Sequence, residues 1–229
     1  PHPLNPQLSL GALIICNPDS PALDSTIVDG GRAVLPQAAP AHWLFDGVAV
    51  DIPFGADSNL EGDRHAIEQR LRELRGDLPI DIVVQPVGFR RKKLFLADMD
   101  STMIGQECID ELADYAGMKD HVAAITERAM RGDIEFAPAL RERVALLKGL
   151  RATAVGEVID ERIRLTPGAR TLVATLRGNG AYTCLVTGGF TLFSRPIAAL
   201  IGFDENRANT LLVDGDGRLT GDVSEPIFG

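Results

Sequence analysis

The sequence predicts an α/β protein: a parallel sheet carrying an inserted block of helices, with a smaller α+β unit in front of it. Three observations carry this expectation. KLFLAD (93–98) and YTCLVT (182–187) are short, nearly continuous apolar runs, the pattern of parallel strands covered on both faces. Between them lie four helical stretches with no convincing strand. The first 90 residues have a different texture, with strand-like segments, a proline- and glycine-rich stretch and one amphipathic helix.

LGALIIC (10–16) and WLFDGVAVDIPF (43–54) read as strands flanking the proline- and glycine-rich stretch. HAIEQRLRELRG (65–76) places Ile67, Leu71 and Leu74 on one helical stripe. IDIVVQPV (80–87) is a strand whose Pro86 cannot donate to a ladder, which puts it at an edge or an end. Residues 1–90 thus form a small α+β domain built on a β-α-β unit, compatible with a ferredoxin-like arrangement and without a recognisable chemical motif. RRKK (90–93) reads as a solvated boundary, and 91–229 as a second domain.

In that domain, ECIDELADYAG, HVAAITERAMRG, FAPALRERVALLKG and ATAVGEVIDERIR are the consecutive helices; the first three end in a glycine suited to a helix C-terminus. Residues 165–180 form another, with Pro167 in its first turn and closing glycines. FTLFSRPIAALIG reads as a helix interrupted near Pro196, and NTLLVDGDGRLTGDV (209–223) as a hairpin.

Composition narrows the function classes. The net charge of −9 argues against diffuse attraction to nucleic acid or to an anionic membrane. No apolar stretch approaches the roughly 18–20 residues that span a bilayer. The start, PHPLNPQL, lacks the basic and apolar regions of a secretory signal. Cys16, Cys108 and Cys184 are odd in number and form no CxxC pair, which points to a reducing compartment and a cytoplasmic location. His2, His42, His65 and His121 have no ligand spacing.

The chemistry concentrates at two strand ends. In a doubly wound sheet, ligands bind beyond the carboxyl ends of the strands. Asp98 ends one such strand, with Asp100 two residues on and Ser101 and Thr102 after it. Two carboxylates there can hold a hard cation through oxygen. One can attack phosphorus, and the other can protonate the leaving alkoxide and then deprotonate water. The second signal, VTGGF (186–190), runs from strand to hydroxyl to glycines to helix, so Thr187 and the Gly188 amide suit a phosphate cradle at a helix N-terminus. By themselves, a DxD pair also reads as a solvated turn, and TGG as an ordinary strand-to-helix turn.

DMDST with a later TGGF resembles the haloacid dehalogenase superfamily, and within it the phosphoserine phosphatase family. DMDSTMIGQE, AMRGDIEFAPALRERVALLKGL, LTPGA, VTGGF and the 209–223 hairpin carry the likeness, over about 93–229. The resemblance implies an incomplete Rossmann-like parallel sheet with a helical cap over about 106–166. It implies hydrolysis of O-phospho-L-serine through an aspartyl phosphate, with Mg²⁺ as cofactor. Carried over by position, Asp98 is the nucleophile and a metal ligand, and Asp100 the acid/base, offering its carbonyl to the metal. Thr187 and Gly188 hold phosphoryl oxygens, Glu107 the substrate ammonium and Arg143 its carboxylate, while Met130 and Phe136 close an apolar lid. On residue pattern alone, Met130 and Phe136 read equally as core, Arg143 as a solvated helix face, and Glu107 as a first-turn acid favourable to the helix dipole.

The family's third element, a lysine followed by a GDGxND-like loop, has no counterpart here. The last lysine is Lys148, and the DGDG at 214–217 suits a hairpin turn. The expectation is therefore a chain truncated before that motif and inactive as it stands, with 93–98 an exposed edge open to homodimer formation. Two other functions stay open: phosphotransfer from phosphoserine to another alcohol, and a non-catalytic module that binds an amino acid.

Overall fold

The computed structural model describes residues 8–55, 60–88 and 90–229, with backbone only at 60–63. The first seven residues, His2 among them, lie outside the described part. The chain divides into two compact units, Pro1–Arg91 and Lys92–Gly229.

The first unit runs β1 (Leu10–Cys16), α1 (Ser25–Ala33), β2 (His42–Phe45), β3 (Ala49–Phe54), α2 (Leu60–Arg75), β4 (Ile80–Pro86). Its antiparallel sheet has the order β2-β3-β1-β4, the ferredoxin-like βαββαβ arrangement. Pro86 lies on the edge strand β4. The alternation is strict where the sheet meets its helices: Leu10, Ala12 and Ile14 of β1 and Val50, Ile52 and Phe54 of β3 are buried with Ile67 and Leu71 of α2.

Three expectations fail in this unit. The single strand over 43–54 is two, because Gly47 takes a positive φ of 69° and turns the chain between β2 and β3. The proline- and glycine-rich stretch hides helix α1, which opens where the Asp24 side chain accepts the Ile27 N–H at 2.9 Å. Nor is Arg90 solvated. Its Nη1 donates to Asp51 Oδ2 at 2.8 Å, and its guanidinium lies so close over Gly11 that a Cβ there would stand 2.0 Å from Nη2. A glycine in β1 is what lets the arginine reach its partner.

The second unit holds a parallel sheet of order β5-β6-β7, formed by Leu94–Ala97, Tyr182–Phe190 and Glu205–Asn209. Helices α3 (Cys108–Tyr115), α4 (Lys119–Met130), α5 (Phe136–Ala145) and α6 (Ala154–Arg162) follow β5. This insert leaves and returns at one point: Ile104 pairs with Leu165, and the Gly105 and Thr166 amides donate to the Arg164 and Met103 carbonyls. Then come α7 (Ala169–Gly178), α8 (Thr191–Ile201) between β6 and β7, and a hairpin of β8 (Leu211–Val213) and β9 (Leu219–Val223). The DGDG stretch is its turn, with Asp214 Oδ1 accepting the Asp216 and Arg218 amides.

Here too the structure corrects the reading. β7, ENRAN, has no apolar run to announce it, yet it completes the sheet. Pro196 does not interrupt α8, whose Phe193, Ser194, Ile197, Ala198 and Ile201 are buried on both sides of the proline; packing carries the helix across the missing N–H. The sheet is not covered on both faces. Phe95, Ala97, Thr183 and Leu185 face the helices, whereas Leu94 and Leu96 are 56% and 59% exposed and β5 pairs on one side only, among the described residues.

Candidate active site

Residue 98 is where β5 ends. Asp98 keeps extended backbone, and its Oδ1 accepts the Met99 N–H at 2.7 Å, which fixes one carboxylate oxygen and leaves the other toward solvent. The chain then turns sharply through Met99–Met103, with Ser101 at φ 50°, a left-handed conformation that costs a residue with a Cβ. The turn brings Glu107 back beside the carboxylates: the Ser101 amide donates to the Gln106 carbonyl, and Ser101 Oγ donates to Glu107 Oε1 at 2.7 Å.

Asp100 points inward. The Cys108 amide, in the first turn of α3, donates to its Oδ1 at 3.3 Å. Burial, with Glu107 and Asp98 as like charges nearby, pushes the Asp100 carboxyl up to about 6. That places it where a group can give and take a proton near neutral pH. Burial also pushes the Cys108 thiol up, so it offers no thiolate nucleophile.

From the other strand, β6 carries Thr187, buried, with Gly188 and Gly189. These glycines do not open a helix. They lie in a stretch of β6 where pairing with β7 lapses between Val186 and Phe190, and α8 starts only at Thr191. Thr187 Oγ1 accepts the Gly189 N–H at 3.0 Å, a bond within the loop itself. A Cβ on Gly189 would stand 3.2 Å from Asp100 Oδ2, so the loop approaches the carboxylate through its lack of a side chain.

The two strand ends meet α3 and α5 around one cavity of about 220 Å³. It is lined by Asp98, Asp100, Glu107, Phe136, Arg143, Thr187 and Gly188, together with Ile109, Leu140, Gly189 and Phe190. Arg143, half-buried, spends its Nε on the Ala139 carbonyl at 3.3 Å, which leaves the terminal nitrogens free to reach a ligand. Burial lowers its pKa, while Asp110 and Glu107 oppose that shift. Burial, joined by Glu107, raises the Asp110 carboxyl, against Arg143 and Lys119. The cavity is thus acidic at the strand ends and basic toward α5, with an apolar wall between.

The family model described as haloacid dehalogenase-like hydrolase matches residues 95–229, more than half of the 229 residues. The chain belongs to this family. A phosphoserine phosphatase of Archaeoglobus fulgidus is 46% identical over 171 residues, 73% of this chain and 49% of the relative. One of Polaromonas is 44% identical, covering 69% of this chain and 66% of its own length. The chain therefore spans about half to two thirds of these curated relatives. Among solved structures, a substrate-bound phosphoserine phosphatase complex superposes with a TM-score of 0.54 at 41% identity, covering 59% of this chain and 63% of that one. A haloacid dehalogenase family hydrolase from Salmonella enterica reaches a TM-score of 0.77 over 95% of this chain and 73% of that one, and at 24% identity it speaks for the fold alone.

Of the residues singled out in the sequence of this haloacid dehalogenase-like hydrolase, all but one line the cavity. Met130 does not: it ends α4, 84% exposed, away from the lining. Phe136, at the start of α5, does line it, and a Cβ on Gly188 would stand 3.0 Å from its ring. Sequence reasoning missed three supporting residues. Ser101 holds Glu107, and Gly189 admits Asp100. Asn209, buried at the end of β7, donates through Nδ2 to the Gly188 carbonyl at 2.8 Å and to the Phe228 carbonyl at 2.9 Å, and accepts the Phe228 amide at 2.8 Å. A lone asparagine carries no pattern signal; the serine of DMDST and the second glycine of TGGF are the sequence marks of the other two.

A hard cation fits part of this donor set. Asp98 and Asp100 both present carboxylates to one cavity, and a cation there would offset the like charges of Glu107 and Asp98, which add to burial in lifting Asp100. Among the described residues, no group of three His, Cys, Asp or Glu side chains stands ready for a metal, so two carboxylates are the side-chain offering. No described helix is long and apolar enough to cross a membrane.

Proposed function

We propose that the protein hydrolyses O-phospho-L-serine to L-serine and phosphate through an aspartyl phosphate on Asp98. The observation that carries this reading is the convergence of Asp98, Asp100, Glu107, Arg143 and the Thr187–Gly188 loop on one small cavity. The names of the relatives supply the substrate. In this reading a free oxygen of Asp98 attacks phosphorus as the bond to the serine oxygen breaks, and the Asp100 proton passes to the departing alkoxide. Asp100, now ionised, takes a proton from water, whose oxygen displaces Asp98 from phosphorus and frees phosphate. The Thr187 hydroxyl and the Gly188 amide hold the phosphoryl oxygens. Glu107 faces the substrate ammonium and Arg143 its carboxylate, in a fork that suits two parallel hydrogen bonds.

Mg²⁺ would be held by Asp98 and the Asp100 carbonyl, and when bound it neutralises phosphoryl charge. Phe136 serves as the apolar cover; Met130 would join it only if α4 moved. The three free cysteines fit a reducing, cytoplasmic setting, and the one-sided β5 edge supports a homodimer.

The test is phosphate release from O-phospho-L-serine with Mg²⁺ present, beside Asp98→Asn. The expected result is release by a form of the protein that also carries the family's lysine and GDGxND-like element, little or none by the 229-residue chain, and loss of at least about 10³-fold when Asp98→Asn is placed in the active form, since an amide is a poor nucleophile. An Asp98→Asn protein that kept most of its turnover would overturn the mechanism. Serine released without matching phosphate, only when an acceptor alcohol is added, would mean phosphotransfer instead.

A further inference from the structure

We infer that the N-terminal unit binds a small aliphatic carboxylate in the groove between its two helices, with Arg75 as the anion partner. A cavity of about 220 Å³ opens there, lined by Ile14, Ile27, Leu71, Ile80 and Ile82. Arg75, the last residue of α2, also lines it. Its Nε is buried without a partner, and its Nη1 makes one long bond, to the Ile80 carbonyl at 3.4 Å. Among the described residues no carboxylate lies within ion-pair distance of Arg75, whereas Arg90 of the same unit has Asp51. A guanidinium half-sunk beside isoleucines and lacking its own counter-charge is matched by an anion with an apolar body.

Helix α1 supplies an independent observation. It has only 9 residues, yet Gly30 and Gly31 sit inside it, and glycine is the poorest helix former short of proline. Gly31 has a packing reason: a Cβ there would stand 3.3 Å from Ile14 Cδ1, so the helix rides close on the sheet. Gly30 has none. A Cβ at Gly30 would meet nothing within 4 Å, and the residue lines the cavity. The helix forgoes a side chain where one would extend into open space, which keeps the groove clear.

The cavity is smaller than the roughly 300–1,000 Å³ that takes drug-sized ligands, so the occupant is small. Serine fits the lining poorly, since its hydroxyl and ammonium would face isoleucine and leucine. An unbranched or branched monocarboxylate of a few carbons lays its chain on those walls and its charge on Arg75.

The experiment is an NMR titration of the full 229-residue chain, labelled at isoleucine and leucine methyls, with hexanoate, hexanol and hexylamine. Hexanoate is expected to shift the Ile14, Ile27, Leu71, Ile80 and Ile82 methyls saturably and to leave those of residues 92–229 in place. Hexanol, without the charge, should bind about tenfold or more weakly, and hexylamine not at all. Arg75→Met should bring hexanoate down to the level of hexanol, and Gly30→Leu should abolish the shifts, with the rest of each spectrum reporting that the variant folds. If either variant fails to fold, the ranking of the three ligands on the native chain decides by itself. Absence of saturable shifts, equal binding of hexanoate and hexanol, or shifts centred in residues 92–229 would overturn the inference.

Discussion

Ser101 Oγ donates to Glu107 Oε1 at 2.7 Å, across a turn that Ser101 itself makes by adopting φ 50°. One residue therefore both bends the chain back and holds the carboxylate that the bend delivers. Ser101→Gly separates the two duties, because glycine keeps the left-handed backbone and loses only the hydroxyl. The expected outcome is unchanged or slightly higher thermal stability, with KM for O-phospho-L-serine raised several-fold, for a bond worth roughly 1 kcal/mol at an exposed site. A KM that stays put would detach Ser101 from substrate binding.

Arg143→Ala should act on the carboxylate end of the substrate. KM for O-phospho-L-serine should rise by the equivalent of about 1.5–3 kcal/mol, while KM for phosphoethanolamine, which lacks the carboxylate, should change little. Arg143→Lys should restore only part of the loss, since an ammonium is not a planar fork. Equal effects on both esters would assign Arg143 to packing.

Asn209→Ala removes three hydrogen bonds from a buried side chain and strands the Gly188 carbonyl. The cost should be roughly 2–3 kcal/mol of unfolding free energy, read from a urea titration. Activity should fall as well, because the loop carrying the Gly188 amide loses its support. A variant of native stability would show that water replaces the asparagine.

Asp204 ties the start of β7 to β6 and α7. It accepts the Thr183 amide at 2.8 Å and the Thr183 hydroxyl at 2.9 Å, and it pairs with Arg177 at 2.8 Å. These donors, the Thr183 amide foremost, hold its carboxyl below its ordinary 3.8. A group depressed on folding stabilises above its unfolded pKa and stops doing so as pH falls through the folded value. The urea midpoints of the native protein and of Asp204→Asn should therefore differ at neutral pH and converge as pH falls below 3.8. A gap that persisted undiminished at low pH would rule out the carboxylate charge as its source.

The strand ends were legible from sequence because their chemistry is local. An apolar run, a DxD and a TGG are each confined to a few residues, and the two motifs announce their own position at the carboxyl end of a strand. Family likeness then placed Glu107, Phe136 and Arg143, which the structure brings to the same cavity. Met130 belonged to that likeness too, but its place depends on how far α4 stands from the sheet, a distance no motif encodes. Helix α1 and strand β7 escaped detection for a common reason. STIVDGGRA carries two helix-weakening glycines and ENRAN almost no apolar side chains, so tertiary packing and hydrogen bonding decide both. Asn209 and Gly189 are further cases, since their roles exist only once β7 lies beside β6 and β6 beside β5. What the sequence determined by itself were the groups able to react and the two strands that present them. How those groups come to share one cavity, one raised carboxyl and a buried support was decided by contacts between residues some 20 to 90 positions apart, such as Asn209 with Gly188 and Gly189 with Asp100. Burial and mutual approach, the causes of the raised Asp100 carboxyl, arise only in three dimensions.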